Sequence, residues 1–102
     1  MSGNPLLKGL KPTHPGEFLR EDVLPALGIP KTEIAKRLGI SRAMLYAILE
    51  QRSPVTPAMA LRLGKLLGTT PESWLNMQRD YDLRLLKQEM SDELSEIDPV
   101  AA

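Results

Sequence analysis

The chain has no cysteine. Disulfides and thiolate metal sites go with it. It has one histidine in 102 residues, and a lone imidazole cannot build a metal site. No hydrophobic run is long enough to span a membrane. The N-terminus lacks the apolar core of a signal peptide, because Lys8 and Lys11 interrupt a short stretch. There is no Ser/His/Asp set, no glycine-rich phosphate loop and no metal-ligand spacing, which argues against an enzyme and leaves no cofactor to expect. The length suits one domain. These absences point to a cytoplasmic binding protein, away from any membrane.

Net charge is also missing: thirteen basic residues balance thirteen acidic ones. That balance conceals a strong asymmetry. Residues 31–65 hold Lys31, Lys36, Arg37, Arg42, Arg52, Arg62 and Lys65 against Glu33 and Glu50, seven bases to two acids, net +5. Residues 66–102 hold three bases against eight acids, net −5. Exposed charges act only within about 8–10 Å at working salt, so a local positive patch can attract phosphate on a neutral chain. The acidic end can also limit non-specific binding to DNA.

What is present lies in the positive third. Residues 31–50 place apolar side chains at Ile34, Leu38, Ile40, Leu45 and Ile48. Ile34 and Leu38 are one helical turn apart and share a face. Ala35 is small where a second helix would crowd the first. Gly39 can take the positive φ that ends a helix. Ser41 stands where the next helix needs a cap for its orphan backbone N–H groups. Leu45 and Ile48 then face inward, and Arg42, Ala43, Tyr46 and Ala47 are left outside. Two short helices, a tight turn and one free polar face suit a helix-turn-helix whose second helix enters the major groove of DNA.

The rest of the chain predicts an all-α fold of five helices with no strand. Residues 1–12 read as a flexible arm, rich in glycine and proline. Residues 13–88 form the helix-turn-helix domain, and 89–102 an acidic C-terminal tail that frays from about Ser91. The first helix starts at His14-Pro15, since proline is tolerated where the N–H has no partner anyway. Phe18, Leu19, Val23 and Leu27 supply its buried stripe, and Pro25 should end or kink it. Helices two and three run over about 31–38 and 41–50. Thr56-Pro57 and Thr70-Pro71 are repeated start signals for helices four and five. Met59, Leu63, Leu66 and Leu67 line the fourth. Trp74, Met77, Tyr81 and Leu85 form a stripe along the fifth, with Trp74 expected in the core.

Three segments carry a family resemblance: His14-Pro15-Gly16-Glu17-Phe18-Leu19-Arg20-Glu21, the helix-turn-helix itself, and Gly68-Thr69-Thr70-Pro71-Glu72-Ser73-Trp74-Leu75-Asn76-Met77-Gln78 followed by Tyr81-Asp82-Leu83. With Thr56-Pro57-Ala58-Met59, they resemble the HigA-type antitoxins of the Xre or lambda-repressor-like helix-turn-helix class over about residues 14–86. One departure is Pro30, where a serine or threonine cap is usual. The resemblance implies a five-helix lambda-repressor-like domain and a double role. Such antitoxins bind their own operator as homodimers and repress the operon. They also neutralise a small HigB-like toxin, an RNase that cleaves messenger RNA.

The motif nominates DNA contacts residue by residue. Arg42 opens the recognition helix, where a guanidinium can pair with guanine O6 and N7. Ala43 lies beside it. Tyr46, one turn on, can touch a base edge, a thymine methyl or a phosphate. Ser41 can add a phosphate bond to its capping role. Lys31, Thr32 and Lys36 sit on the helix that crosses the backbone, so they suit phosphates. Gln51, Arg52 and Thr56 flank the following loop, and Arg52 is the best phosphate candidate of the three. Arg37 can instead pair with a carboxylate on helix one, while Arg62 and Lys65 suit solvent or partners within the protein.

The residues leave two other functions open. One is a stand-alone transcriptional repressor with no toxin. The other is an interaction module that has lost DNA binding. A dimer interface is expected in helix five, from Trp74, Tyr81 and Leu85, with helix four as second choice. Toxin contacts are expected on the N-terminal arm, helix one or the acidic C-terminal stretch.

Overall fold

The structure, a computed structural model, describes residues 13–100. The expected arm over 1–12 lies outside the described residues, as do the last two alanines. Among the described residues there are six helices and no strand. We label them α1 (residues 15–27), α2 (Lys31–Leu38), α3 (Arg42–Leu49), α4 (Pro57–Leu67), α5 (Pro71–Glu89) and α6 (Ser91–Ser95). The first five follow the expected order. The sixth replaces the fraying expected from Ser91, although it buries no residue.

Helix starts follow the capping chemistry. Ser41 Oγ accepts from Met44 N at 3.0 Å, Thr56 Oγ1 from Met59 N at 3.3 Å and Thr70 Oγ1 from Ser73 N at 3.2 Å. Each cap satisfies an otherwise orphan donor. His14 caps α1 through Nδ1, which accepts from Gly16 N at 2.9 Å. Pro30 provides no side-chain cap to α2. Its carbonyl takes the Glu33 and Ile34 amides at 3.0 Å each, so only the side-chain bond is missing.

Pro25 does not end α1: the helix loses its regular α pattern just before it and keeps a last turn up to Gly28, as expected. Residues Leu19–Val23 widen into a π-helical turn, in which Leu24 N donates to Leu19 O, five residues back. A proline ring clashes with the carbonyl four residues before it, and the wider turn moves that carbonyl aside. The helix then runs on to Leu27 and ends at Gly28. The extra residue per turn also rotates the face. Leu24 is buried beside Leu19, Phe18 and Val23 are half-buried, and Leu27 is left exposed.

The core joins Leu19 and Leu24 of α1, Ile34, Ala35 and Leu38 of α2, Leu45, Ile48 and Leu49 of α3, Val55, then Met59, Ala60 and Leu63 of α4 and Trp74 of α5. Each large aliphatic side chain buried here contributes about 1.5–3 kcal/mol. Trp74 is buried as expected, and its indole N–H donates to Thr69 Oγ1 at 2.7 Å. Gln78, one turn further, is also buried. Its Oε1 accepts from Val55 N at 2.8 Å, and its Nε2 donates to Asp82 at 3.0 Å. A buried amide with both ends bonded fixes the loop after α3 to α5.

Candidate nucleic-acid interface

The turn between α2 and α3 is closed by backbone and side-chain hydrogen bonds. Gly39 has φ +74°; its N–H donates to Lys36 O at 3.1 Å, and Ile40 N donates to Ala35 O at 3.0 Å. This paired closure ends a helix while satisfying two orphan carbonyls. The Arg62 guanidinium, from α4, donates to Leu38 O at 2.7 Å and to Gly39 O at 3.4 Å. Arg62 is therefore partnered within the protein, as expected. Its role as a clasp on the turn had no sequence signal, because the two segments are far apart in the chain.

The back of α3 is held equally firmly. Leu45, Ile48 and Leu49 are at most 2% exposed. A Cβ on Gly16 would lie 1.8 Å from the Ile48 carbonyl oxygen, so α1 touches α3 backbone to backbone. Arg20 Nη1 donates to Leu49 O at 3.1 Å and caps the C-terminal end of α3. The chain leaves α3 by the same paired closure as α2: Gln51 N to Ile48 O at 3.0 Å and Arg52 N to Ala47 O at 2.8 Å. Here Gln51 takes φ +63°, where glycine is the usual choice.

With its back fixed, α3 turns Arg42, Ala43 and Tyr46 to solvent. Tyr46 is 40% exposed, so it does not pack away against α2. Ala47 is half-buried. Lys31, Thr32 and Lys36 are exposed along α2, and Ser41, Arg52 and Thr56 are exposed beside α3. Gln51 alone among the nominated residues is half-buried. The set thus falls into the starts of α2 and α3, the following turn of each, and the loop leading to α4.

Two cations of this region are ion-paired, one of them with a partner other than the expected one. Arg37 pairs with Glu33 of its own helix at 3.0 Å, not with a carboxylate on α1. The i,i+4 spacing places the two side by side, closer than any acid of the first helix. Arg52 pairs with Glu50 at 2.8 Å. Both members of that pair are more than half exposed, and such pairs contribute about 0–1 kcal/mol. A phosphate can displace Glu50 at little cost.

Met44 is a residue that the sequence pattern did not single out. It is 44% exposed between Arg42 and Tyr46. It borders an apolar cavity of about 320 Å³ with Ile40, Pro54, Ala58 and Met59. An isolated methionine on a helix with three buried neighbours gives no signal of its own exposure. On α5, Trp74 lies in the core and Tyr81 is half-buried edge-on to His14, ring centres 5.0 Å apart. Of the three residues expected to offer interface area only Leu85 is exposed, and Leu83 and Leu86 are exposed beside it.

A capped, fully braced second helix behind a tight glycine turn defines a helix-turn-helix domain. The helix-turn-helix family matches residues 19–75, and the chain belongs to it. Virulence-associated protein I of Dichelobacter nodosus is 40% identical over 76 residues, 74% of this chain and 70% of that protein. Antitoxins are among the chain's solved neighbours. Antitoxin GraA has the same fold with a TM-score of 0.83 at 40% identity, over 90% of this chain and all of that one. It has also been solved in complex with its operator, at the same TM-score and identity, over 92% of this chain and 96% of that one. Antitoxin HigA of Pseudomonas aeruginosa, solved with the higBA promoter, gives a TM-score of 0.83 at 29% identity, over 89% of this chain and all of that one.

Proposed function

We propose that this chain is an antitoxin that represses its own operon. It binds operator DNA as a homodimer and neutralises a partner toxin, an mRNA-cleaving RNase. The observation that carries the DNA-binding part is α3. Its inner face is locked by Leu45, Ile48 and Leu49, while Arg42, Ala43 and Tyr46 remain exposed. Rigid presentation of a few side chains is what base reading in the major groove requires. Lys31, Thr32 and Lys36 on α2, with Ser41, Arg52 and Thr56 around α3, suit the flanking phosphates. The relatives solved with operator or promoter DNA support the same reading.

One such module reads only a few base pairs, so a two-fold pair with recognition helices about 34 Å apart fits a palindromic operator. The exposed side of α5 is the surface we assign to the dimer. Leu75, Leu83 and Leu86 line an apolar groove there of about 430 Å³. The toxin part rests on the HigA-type relationship. The net −5 of residues 66–102 is compatible with a basic partner.

The test is a gel shift with the native upstream region. Arg42→Ala should weaken binding by about 1–3 kcal/mol and relax base preference. Lys36→Ala should weaken all sequences alike and flatten the salt slope by about one unit. No shift with the wild-type protein would refute operator binding. Equal loss of base preference in both variants would show that α3 is not the reading helix.

A further inference from the structure

A second surface outside the DNA face combines positive charge with exposed apolar area. Arg37 and Leu38 of α2 and Leu61, Arg62, Lys65 and Leu66 of α4 line a groove of about 510 Å³. Leu61 is 63% exposed there. Lys65 has no ion pair among the described residues, Arg62 commits only Nη1 to the turn carbonyls and Arg37 holds only the exposed Glu33, so the three cations around an apolar floor suit an acidic, amphipathic occupant.

The chain carries such a segment. Residues 91–98 read Ser-Asp-Glu-Leu-Ser-Glu-Ile-Asp, with four acids spaced around Leu94 and Ile97. Nothing in α6 is buried, and Leu94 and Ile97 are 42% and 67% exposed. In its own chain the segment follows the 19-residue α5 and packs against nothing in the core.

We propose that residues 91–98 of one copy dock into the α2–α4 groove of a second copy. The inference rests on the dimer through α5, and the geometry links the two. The apolar groove on α5 runs from Leu75 to Leu86. Antiparallel packing centred on that stretch sets residue 90 of one copy opposite residue 71 of the other. The five residues of α6 then continue roughly 8 Å at helical rise, past the α4–α5 turn, and residues 96–98 extend beyond them toward the Lys65 end of the groove. Asp92, Glu93, Glu96 and Asp98 meet Arg37, Arg62 and Lys65, and Leu94 and Ile97 cover Leu61 and Leu66. Each tail clasps the other subunit, so the acidic end of the chain strengthens the dimer that operator reading needs.

The absence of natural cysteine makes a direct test possible. A chain carrying both Lys65→Cys and Ile97→Cys is mildly oxidised at low salt. The proposal expects a covalent dimer on a non-reducing gel. An oxidised monomer means that the tail folds back on its own groove, and no disulfide means that it docks nowhere; either result overturns the docking. In parallel, Glu93→Lys with Glu96→Lys should raise the dimer Kd about fivefold at low salt, from two exposed pairs, with the difference closing at high salt. An unchanged Kd counts against the proposal. Light scattering on the wild type separates the two readings. A monomer refutes the dimer and the docking together, whereas a dimer without cross-link refutes only the docking.

Discussion

The Arg62 guanidinium reaches across 24 residues of sequence to donate to the Leu38 carbonyl at 2.7 Å. Leu38 ends α2, and its carbonyl has no partner within the helix. A charged donor from α4 therefore closes the turn that sets α3 against α2. Arg62→Ala should cost about 1.5 kcal/mol, as for a hydrogen bond to a charged group. For a domain of this size that is roughly 6–12 °C in Tm. Lys65→Ala, on the same helix but outside the turn, should stay within about 0.5 kcal/mol. Thermal unfolding of both variants checks the contrast, and equal losses would remove the clasp.

The second prediction concerns Gly16. A methyl there would meet the Ile48 carbonyl oxygen at 1.8 Å and its carbon at 2.8 Å. Backbone atoms cannot swing away as a side chain can, so α1 must move off α3. Gly16→Ala should cost about 3 kcal/mol or more, at the upper end for overpacking. Gly28→Ala meets nothing within 4 Å but has φ +66°, and should cost only about 1–2 kcal/mol. Urea midpoints rank the two. A harmless Gly16→Ala would mean that the helices are less closely packed than described.

The sequence showed much of this architecture because its signals were local. Ser41, Thr56 and Thr70 announce helix starts within three residues of the amides they cap. Gly39 announces its turn, and the apolar spacing of Ile34, Leu38, Leu45 and Ile48 describes faces of single helices. What stayed hidden depends on contacts between distant segments or on irregular backbone. The π turn at Leu19–Val23 rotated the face of α1, so Leu24 was buried in place of Leu27. The burial of Gln78 had no local signal, because the Val55 amide that its Oε1 accepts from lies 23 residues away. Along the fifth-helix stripe Trp74 is core, as its spacing suggested, but the packing of Tyr81 on His14 depends on a contact with a distant segment. For the residues proposed to contact DNA, the motif conveyed their position on and beside α2 and α3, while the braces Arg20 and Arg62 carry no motif at all.

The third prediction follows from His14. Its ring is buried, caps α1 through Nδ1 and lies edge-on to Tyr81. Burial holds its pKa below the ordinary 6.5, and the nearby Asp82 and Glu17 carboxylates only partly oppose this. The unfolded chain thus takes up a proton first as pH falls. His14 contributes its full stability above about 6.5 and loses it progressively as pH drops through the lowered folded pKa. Protonated Nδ1 can no longer accept from Gly16, so the cap is lost with the proton's arrival. Denaturant unfolding should give lower stability at pH 5.5 than at 7.5. His14→Asn retains a capping oxygen without an ionisable ring, and should flatten that part of the profile. An unchanged pH dependence in this variant would assign the effect to other groups.

The last prediction separates an antitoxin from a repressor that acts alone. The proposed DNA face on α2 and α3 is made of other residues than those expected to bind a toxin, which are the N-terminal arm, α1 or the acidic C-terminal stretch. Loss of DNA reading should therefore spare neutralisation. The neighbouring reading frame is expressed in cells alone, with this protein, and with its Arg42→Ala variant. We expect growth arrest in the first case and rescue in both others, with repression of an operon reporter lost only in the variant. Arg42 is exposed and supports no core contact, so its removal leaves the fold intact. A neighbour that is harmless by itself, or that still kills beside the intact protein, would leave the stand-alone repressor as the function. Rescue by the wild type but not by Arg42→Ala would instead show that toxin binding and DNA reading share one surface, against the separation that the positions of α1, α3 and the acidic end imply.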